Sequence, residues 1–350
     1  MKTPSFRSVG FAFVLITLLS NKVLAQDSLR TFHIGFLYPI SNQGADSKYY
    51  SNSFSFHVLA GKSREERAFA LAGLALKVQE DATGFKTSGL ANIIGGRADG
   101  FTLAGLTNII GENTTGFTVS GLYNQYHGGT GTQIAGLMNL AKHDVDGFQA
   151  AGVMNKANNV NGVQVAGLVN QANEVHGAQV GFINIANSSK YPVGIINLIK
   201  DGERSLGISV DDNLSTLLTF RSGSKKMYGI IGVGNNFNNE DEVLAIHWGL
   251  GAHFFSTERF RLNTEITTTM LESYGGHEGE GEFEKYSLSV LPALRFGRFE
   301  LYAGPSLNVI NTDSAEGYKM VDNYIWDHVS DSDKLTGIYI GYTGGINMKL

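Results

Sequence analysis

Polar and apolar residues alternate with period two along most of this chain, the pattern of half-buried strands. Phe32, Ile34, Phe36 and Tyr38 share one face, and Phe54, Phe56, Val58 and Ala60 share another, so residues 26–67 are expected to form an N-terminal β-hairpin. Over residues 68–201 the alternation is packaged into a repeat of 13–16 residues, as in GFTLAGLTNII, GFQAAGVMNKA and GVQVAGLVNQA. The leading glycines Gly84, Gly100, Gly116, Gly131, Gly147, Gly162 and Gly177 are spaced 16, 16, 15, 16, 15 and 15. In the copy at 162–172, Val163, Val165 and Val169 fall on one side, and Gln164, Ala166, Leu168, Asn170 and Ala172 on the other. From residue 202 the repeats give way to longer strands. There Phe260, Leu262, Ile266 and Met270 oppose Arg261, Asn263, Glu265, Thr267 and Thr269, and the chain ends on Ile346, Met348 and Leu350 opposite Gly345, Asn347 and Lys349.

Two all-β architectures use such a repeat. The first is an antiparallel transmembrane β-barrel of roughly 16–19 strands, each phrase one membrane crossing, apolar outside and polar within. Antiparallel pairing sets Asn170 near Gln179 and large residues against small ones, as a sheet face favours. The second is a β-solenoid of the repeats joined to a smaller antiparallel barrel, in which identical residues stack. Val145, Val160 and Val175, two residues before a leading glycine, suit a solenoid core. Either way Asn92, Asn108, Asn124, Asn139, Asn155, Asn170, Asn184 and Asn197 form an inward ladder, with Leu90, Leu106 and Leu168 on the same side. The long strands of residues 202–350, wet on one face and greasy on the other, favour the barrel.

Composition narrows the setting. Gly at 44 and Pro at 5 of 350 residues, with 17% charge, fit many short strands and exclude a disordered chain. Residues 1–25 read as a cleaved signal peptide: Lys2 and Arg7, an apolar run from Val9 to Leu19, then Val23-Leu24-Ala25. Removing Lys2, Arg7 and Lys22 takes the net charge from −5 to −8, which offers no basic footprint for nucleic acid. With no cysteine there is no disulfide, thiolate or Cys-bound metal. The mature sequence holds no run of eighteen apolar residues, so a membrane is crossed by strands or not at all.

The unit G-x-Q-x-A-G-L-x-N-x-A, the upstream FLYPIS and the later GIINLIKDG with its long strands resemble a family of bacterial surface-repeat proteins. The resemblance spans nearly the whole mature chain. It implies an outer-membrane or cell-surface setting in a Gram-negative bacterium, with outer-membrane lipid as partner, and no catalytic residues. The early copies depart from it, with Lys86, Thr102 and Thr118 at the Gln position, so a glutamine ladder is expected to be interrupted.

Candidate chemistry is sparse. Gly61-Lys62-Ser63 lacks the earlier glycine of a phosphate loop, whose place Phe56 takes. His247 and His253 share a strand face about 20 Å apart, too far to chelate one ion. Glu278, Glu280, Glu282 and Glu284 concentrate carboxylates in one loop, a weak metal candidate whose spacing matches no calcium loop. No cofactor is expected. The expected function is a non-enzymatic outer-membrane barrel with a structural or pore-like role; the alternative is an adhesin-like surface protein whose solenoid binds an extracellular ligand of unspecified chemistry.

Overall fold

The computed structural model describes residues 29–237, 243–273, 283–314, 317–330 and 333–350. The expected leader and three of the candidate acids, Glu278, Glu280 and Glu282, lie outside them. Two all-β bodies follow one another: a parallel β-solenoid of about ten turns, then a closed antiparallel barrel of eight strands. Of the two arrangements considered for the repeats, the solenoid is the one that forms. The barrel therefore has eight strands rather than roughly sixteen to nineteen. Parallel, in-register pairing sets every residue on its own copy, Gly116 on Gly100, Phe117 on Phe101 and Asn124 on Asn108. The Asn–Gln pairs expected from antiparallel neighbours do not occur; Asn170 stands beside Asn155 and Asn184.

A typical coil contains a seven-residue strand such as Ala98–Ala104, a Gly-Leu corner, a four-residue strand such as Thr107–Ile110, and a polar corner. The polar corner absorbs the change between 16 and 15 residues, with three at 111–113 and two at 127–128, while the last coils shorten at the Gly181 corner and by a register shift between Val175 and Ala178. At the other corner glycine is required, since a Cβ on Gly105 would sit 1.9 Å from the Gly89 carbonyl oxygen of the preceding coil. The N-terminal segment is built the same way. Leu29–Leu37 pairs in parallel with Ser51–Ser63, so the expected hairpin is instead the opening coil. The bridge Ile40–Ser41 and a 3-10 turn at Gly44–Tyr49 carry the chain back to its starting end.

Val145, Val160, Ile94, Ile110 and Tyr126 fill the solenoid core beside the Asn column, while Phe101, Leu103, Val163 and Val165 look outward. Leu90, Leu106 and Leu168, expected inside, are exposed. Each follows the corner glycine, where the chain turns and strict alternation lapses.

The barrel strands are β1 (Glu203–Asp211), β2 (Ser215–Gly223), β3 (Met227–Asn236), β4 (Val243–Phe254), β5 (Phe260–Ser273), β6 (Phe283–Phe296), β7 (Phe299–Thr312) and β8 (Leu335–Lys349). Leu206 opposite Met348 and Ile208 opposite Ile346 close β1 on β8. Short connections at 224–226, 255–259 and 297–298 share one end with residue 203 and the chain terminus. Three of the four connections at the opposite end are longer, the longest spanning 313–334. Outward side chains such as Ile266, Leu288, Leu301 and Ile340 are apolar and exposed, whereas Arg221, Asn263, Glu265 and Lys285 are buried inside.

The barrel wall also caps the solenoid. Ser222 and Gly229 lie opposite each other on the outward face of β2 and β3. The Asn197 backbone N–H donates to Ser222 Oγ at 3.0 Å, and its side-chain amide to the Ser222 carbonyl at 3.3 Å. A Cβ on Gly229 would fall 2.1 Å from the Gly194 carbonyl oxygen and 2.2 Å from that of Ile195, so only glycine admits the last coil.

Candidate functional site

The eight ladder asparagines are all fully buried, and each from Asn92 to Asn184 donates its amide N–H to the Oδ1 of the next at 2.8–3.0 Å. Most donate a second time to a carbonyl of the next coil, as Asn139 does to Ala150 at 2.7 Å. A buried amide is costly only when unpaired, and stacking identical amides in register pairs both ends. The glutamines form a shorter column, Gln149–Gln164–Gln179, at 2.8 and 3.0 Å. Towards the N-terminus Tyr126 interrupts it, accepting from Gln149 at 2.6 Å; Gln133 stands in register beside Gln149, and beyond it Thr118, Thr102 and Lys86 hold the position.

The barrel lumen is filled with ion pairs that alternation alone does not pair up. Arg221 on β2 meets Glu265 on β5 with two parallel bonds, Nε to Oε1 at 3.0 Å and Nη2 to Oε2 at 3.2 Å. Its remaining N–H groups reach Thr219, Asn347 and the Tyr302 hydroxyl, while Tyr228 donates to Glu265 at 2.8 Å. Nearer the short-turn end Arg261 bridges Glu203 and Glu300, and Asn263 donates to Glu300 at 3.0 Å. Nearer the long-loop end Lys285 pairs with Asp211 and Asn213. Above it Leu217, Phe283, Ile310 and Leu335 pack with Tyr318 and Met320 of the long connection, and the Met320 carbonyl accepts from Asn213 at 2.9 Å. Among the described residues, two lumenal cavities measure about 40 and 30 Å³, enough for a water or two. Eight strands leave an interior just wide enough for side chains, and here the side chains fill it.

A second polar cluster closes the N-terminal end of the solenoid. The His33 and His57 rings meet edge to face at 4.4 Å, and Glu66 accepts from Ser55 Oγ at 2.8 Å on both oxygens. Burial holds His33 and His57 down at about 4, from an ordinary 6.5, with His57 adding its repulsion to His33. Burial also pushes Glu66 up to about 7 from 4.5, against the opposing hydrogen bonds of Ser55, and Lys86 down to about 8. Between pH 4.5 and 6.5 the unfolded chain therefore takes up protons at two histidines that the folded chain leaves neutral, while only the folded chain keeps a proton on Glu66. Within this cluster the net is one more proton on the unfolded state, so its contribution to stability falls on acidification by ~1.4 kcal/mol per pH unit. Glu66→Gln removes the opposing proton and is expected to steepen the fall by a further ~1.4 kcal/mol per pH unit. Urea midpoints of the full chain in detergent across this window measure it, and an unaltered slope would discard the role given to Glu66.

Of the four candidate acids only Glu284 is described; it lies on β6 and accepts from the Tyr286 hydroxyl at 2.9 Å. Among the described residues no three His, Cys, Asp or Glu side chains are grouped as a metal site. His143 is exposed at a polar corner, His176 is exposed on the strand Glu174–Val180, and His247 faces the lumen beside Thr269 at 2.9 Å. No family model, curated protein or solved structure matches the chain.

Proposed function

We propose that this chain is a non-enzymatic outer-membrane protein with a structural role, its barrel spanning the bilayer and holding the solenoid against it. The observation that carries this is the inverted polarity of the barrel: apolar side chains outside, a paired ionic network within. In water such a surface exposes far more contiguous apolar area than a soluble domain carries, whereas in lipid it is the expected one. The filled lumen argues for an anchor rather than a pore. The adhesin-like alternative draws on the solenoid's exposed apolar edge but needs that body outside the cell. The solenoid leaves the barrel at its short-turn end, which in outer-membrane barrels faces the periplasm.

Expressed in a Gram-negative host, the full chain is expected to sediment with the outer membrane and to migrate faster on gels before boiling than after. Recovery of folded protein in detergent-free buffer would end the membrane reading. In planar bilayers it is expected to show no current above bare lipid; discrete channel steps would restore the pore-like role.

A further inference from the structure

The solenoid is amphipathic across its section, and the division runs its whole length. Leu90, Leu106, Leu122, Leu137, Leu168 and Phe182 project in line from the Gly-Leu corner, all exposed. The outward columns flanking them are apolar too: Leu103, Val119 and Ile134 on one side, Met138, Met154 and Val169 on the other. One column further from the corner, Phe69, Phe85, Phe101 and Phe117 stack ring on ring at 5.2–5.8 Å. The opposite corner is polar, carrying Arg97, Glu112, His143, Asp144 and Asn173.

The junction sets how this rod meets the barrel. Ser222 and Gly229 point outward from the wall and occupy the place of a further coil, so the stacking axis leaves along the outward normal of the wall. Both lie about 7 Å from the turn at 224–226, taking ~3.3 Å per residue. The polar side of the last coil meets that turn: Ser224 Oγ donates at 3.2 Å to the carbonyl of Lys190, on the strand Ser188–Val193 that leaves the corner, and a Cβ on Gly202 would fall 1.9 Å from the Gly223 carbonyl oxygen. The apolar corner, ending at Ile195, meets Gly229 further up the strand, on the same outward face as the exposed Ile231 and Val233. The leucine edge thus continues the apolar outer surface of the barrel, and the polar edge hangs towards the turns.

We propose that the Gly-Leu edge is a lipid-binding surface: the solenoid, about 48 Å long for about ten coils at ~4.8 Å, lies along the leaflet on the short-turn side with that edge among the acyl chains. The inference rests on the barrel spanning the membrane. An amphipathic rod buries its apolar face in this way without spanning, and the barrel fixes its height and roll.

Because the chain has no cysteine, single nitroxide labels test this in full-length protein reconstituted into phosphatidylethanolamine/phosphatidylglycerol vesicles. Leu122→Cys reports the edge, Glu112→Cys the polar corner and Ile266→Cys the outer wall of the barrel. At 122 and 266 collisions with oxygen are expected to exceed those with a water-soluble nickel chelate several-fold, and at 112 the order is expected to reverse. Lipid contact at 266 with chelate access at 122 would overturn this inference alone, while chelate access at 266 would overturn the membrane reading beneath it. Low collision with both reagents at 122 would mean that protein, such as a second copy, covers the edge, and would equally overturn the assignment to lipid.

Discussion

Arg221→Leu is expected to lower the stability of the folded barrel by about 3–5 kcal/mol, the usual consequence of stranding one member of a buried ion pair. The leucine leaves the Glu265 carboxylate in the lumen with the Tyr228 hydroxyl as its one remaining side-chain donor among the described residues, and it also strips partners from Tyr302 and Asn347. Arg221→Leu combined with Glu265→Leu removes both charges and is expected to recover most of the loss, since apolar replacement of a whole buried pair is often neutral or better. Guanidinium midpoints of the full chain in detergent measure both. A double variant as weak as the single one would show that side-chain volume, not charge pairing, holds the lumen.

Asn139→Ala is expected to lower the stability of the solenoid by about 2–4 kcal/mol, from two or so buried polar groups each losing a partner at about 1–3 kcal/mol. Asn139 donates to Asn155 Oδ1 at 2.9 Å and to the Ala150 carbonyl at 2.7 Å, and accepts from Asn124 at 2.9 Å. The methyl group leaves Asn155 Oδ1 in the core without its donor. Its neighbour in sequence, Leu140, faces outward, and Leu140→Ala on that side is expected to cost less because no buried polar group is orphaned. The comparison is made on urea midpoints by circular dichroism, and equal losses at 139 and 140 would refute the ladder as a source of stability.

The legible parts of this molecule were those written in neighbouring residues. Period two marked the strands, and within each strand it separated Gln164, Ala166 and Asn170 from Val163, Val165 and Val169, a division the structure keeps. It misled at Leu106 and Leu168, because a corner between two strands breaks the alternation and turns the side chain out. The polar face of the long strands pointed to a wet lumen but not to its pairing. Glu265 finds Arg221 across 44 positions of sequence, and Asn347 finds it across 126. An isolated Arg or Glu on the polar side of an alternating strand was the available signal, and it names a face rather than a partner.

From its sequence alone this protein is an all-β chain with a repeating amide column, because alternation and repetition are local properties that any pairing must respect. Whether neighbouring repeats run parallel or antiparallel was decided only in three dimensions. Both directions put the same residues on the same faces, and stacking each Asn on its own copy carries the amide column unbroken from Asn92 to Asn197. The tertiary structure likewise decided that the barrel closes at eight strands and that its outer wall, at Ser222 and Gly229, ends the solenoid. Closure and capping depend on contacts between segments far apart in the chain, and alternation carries no record of distance.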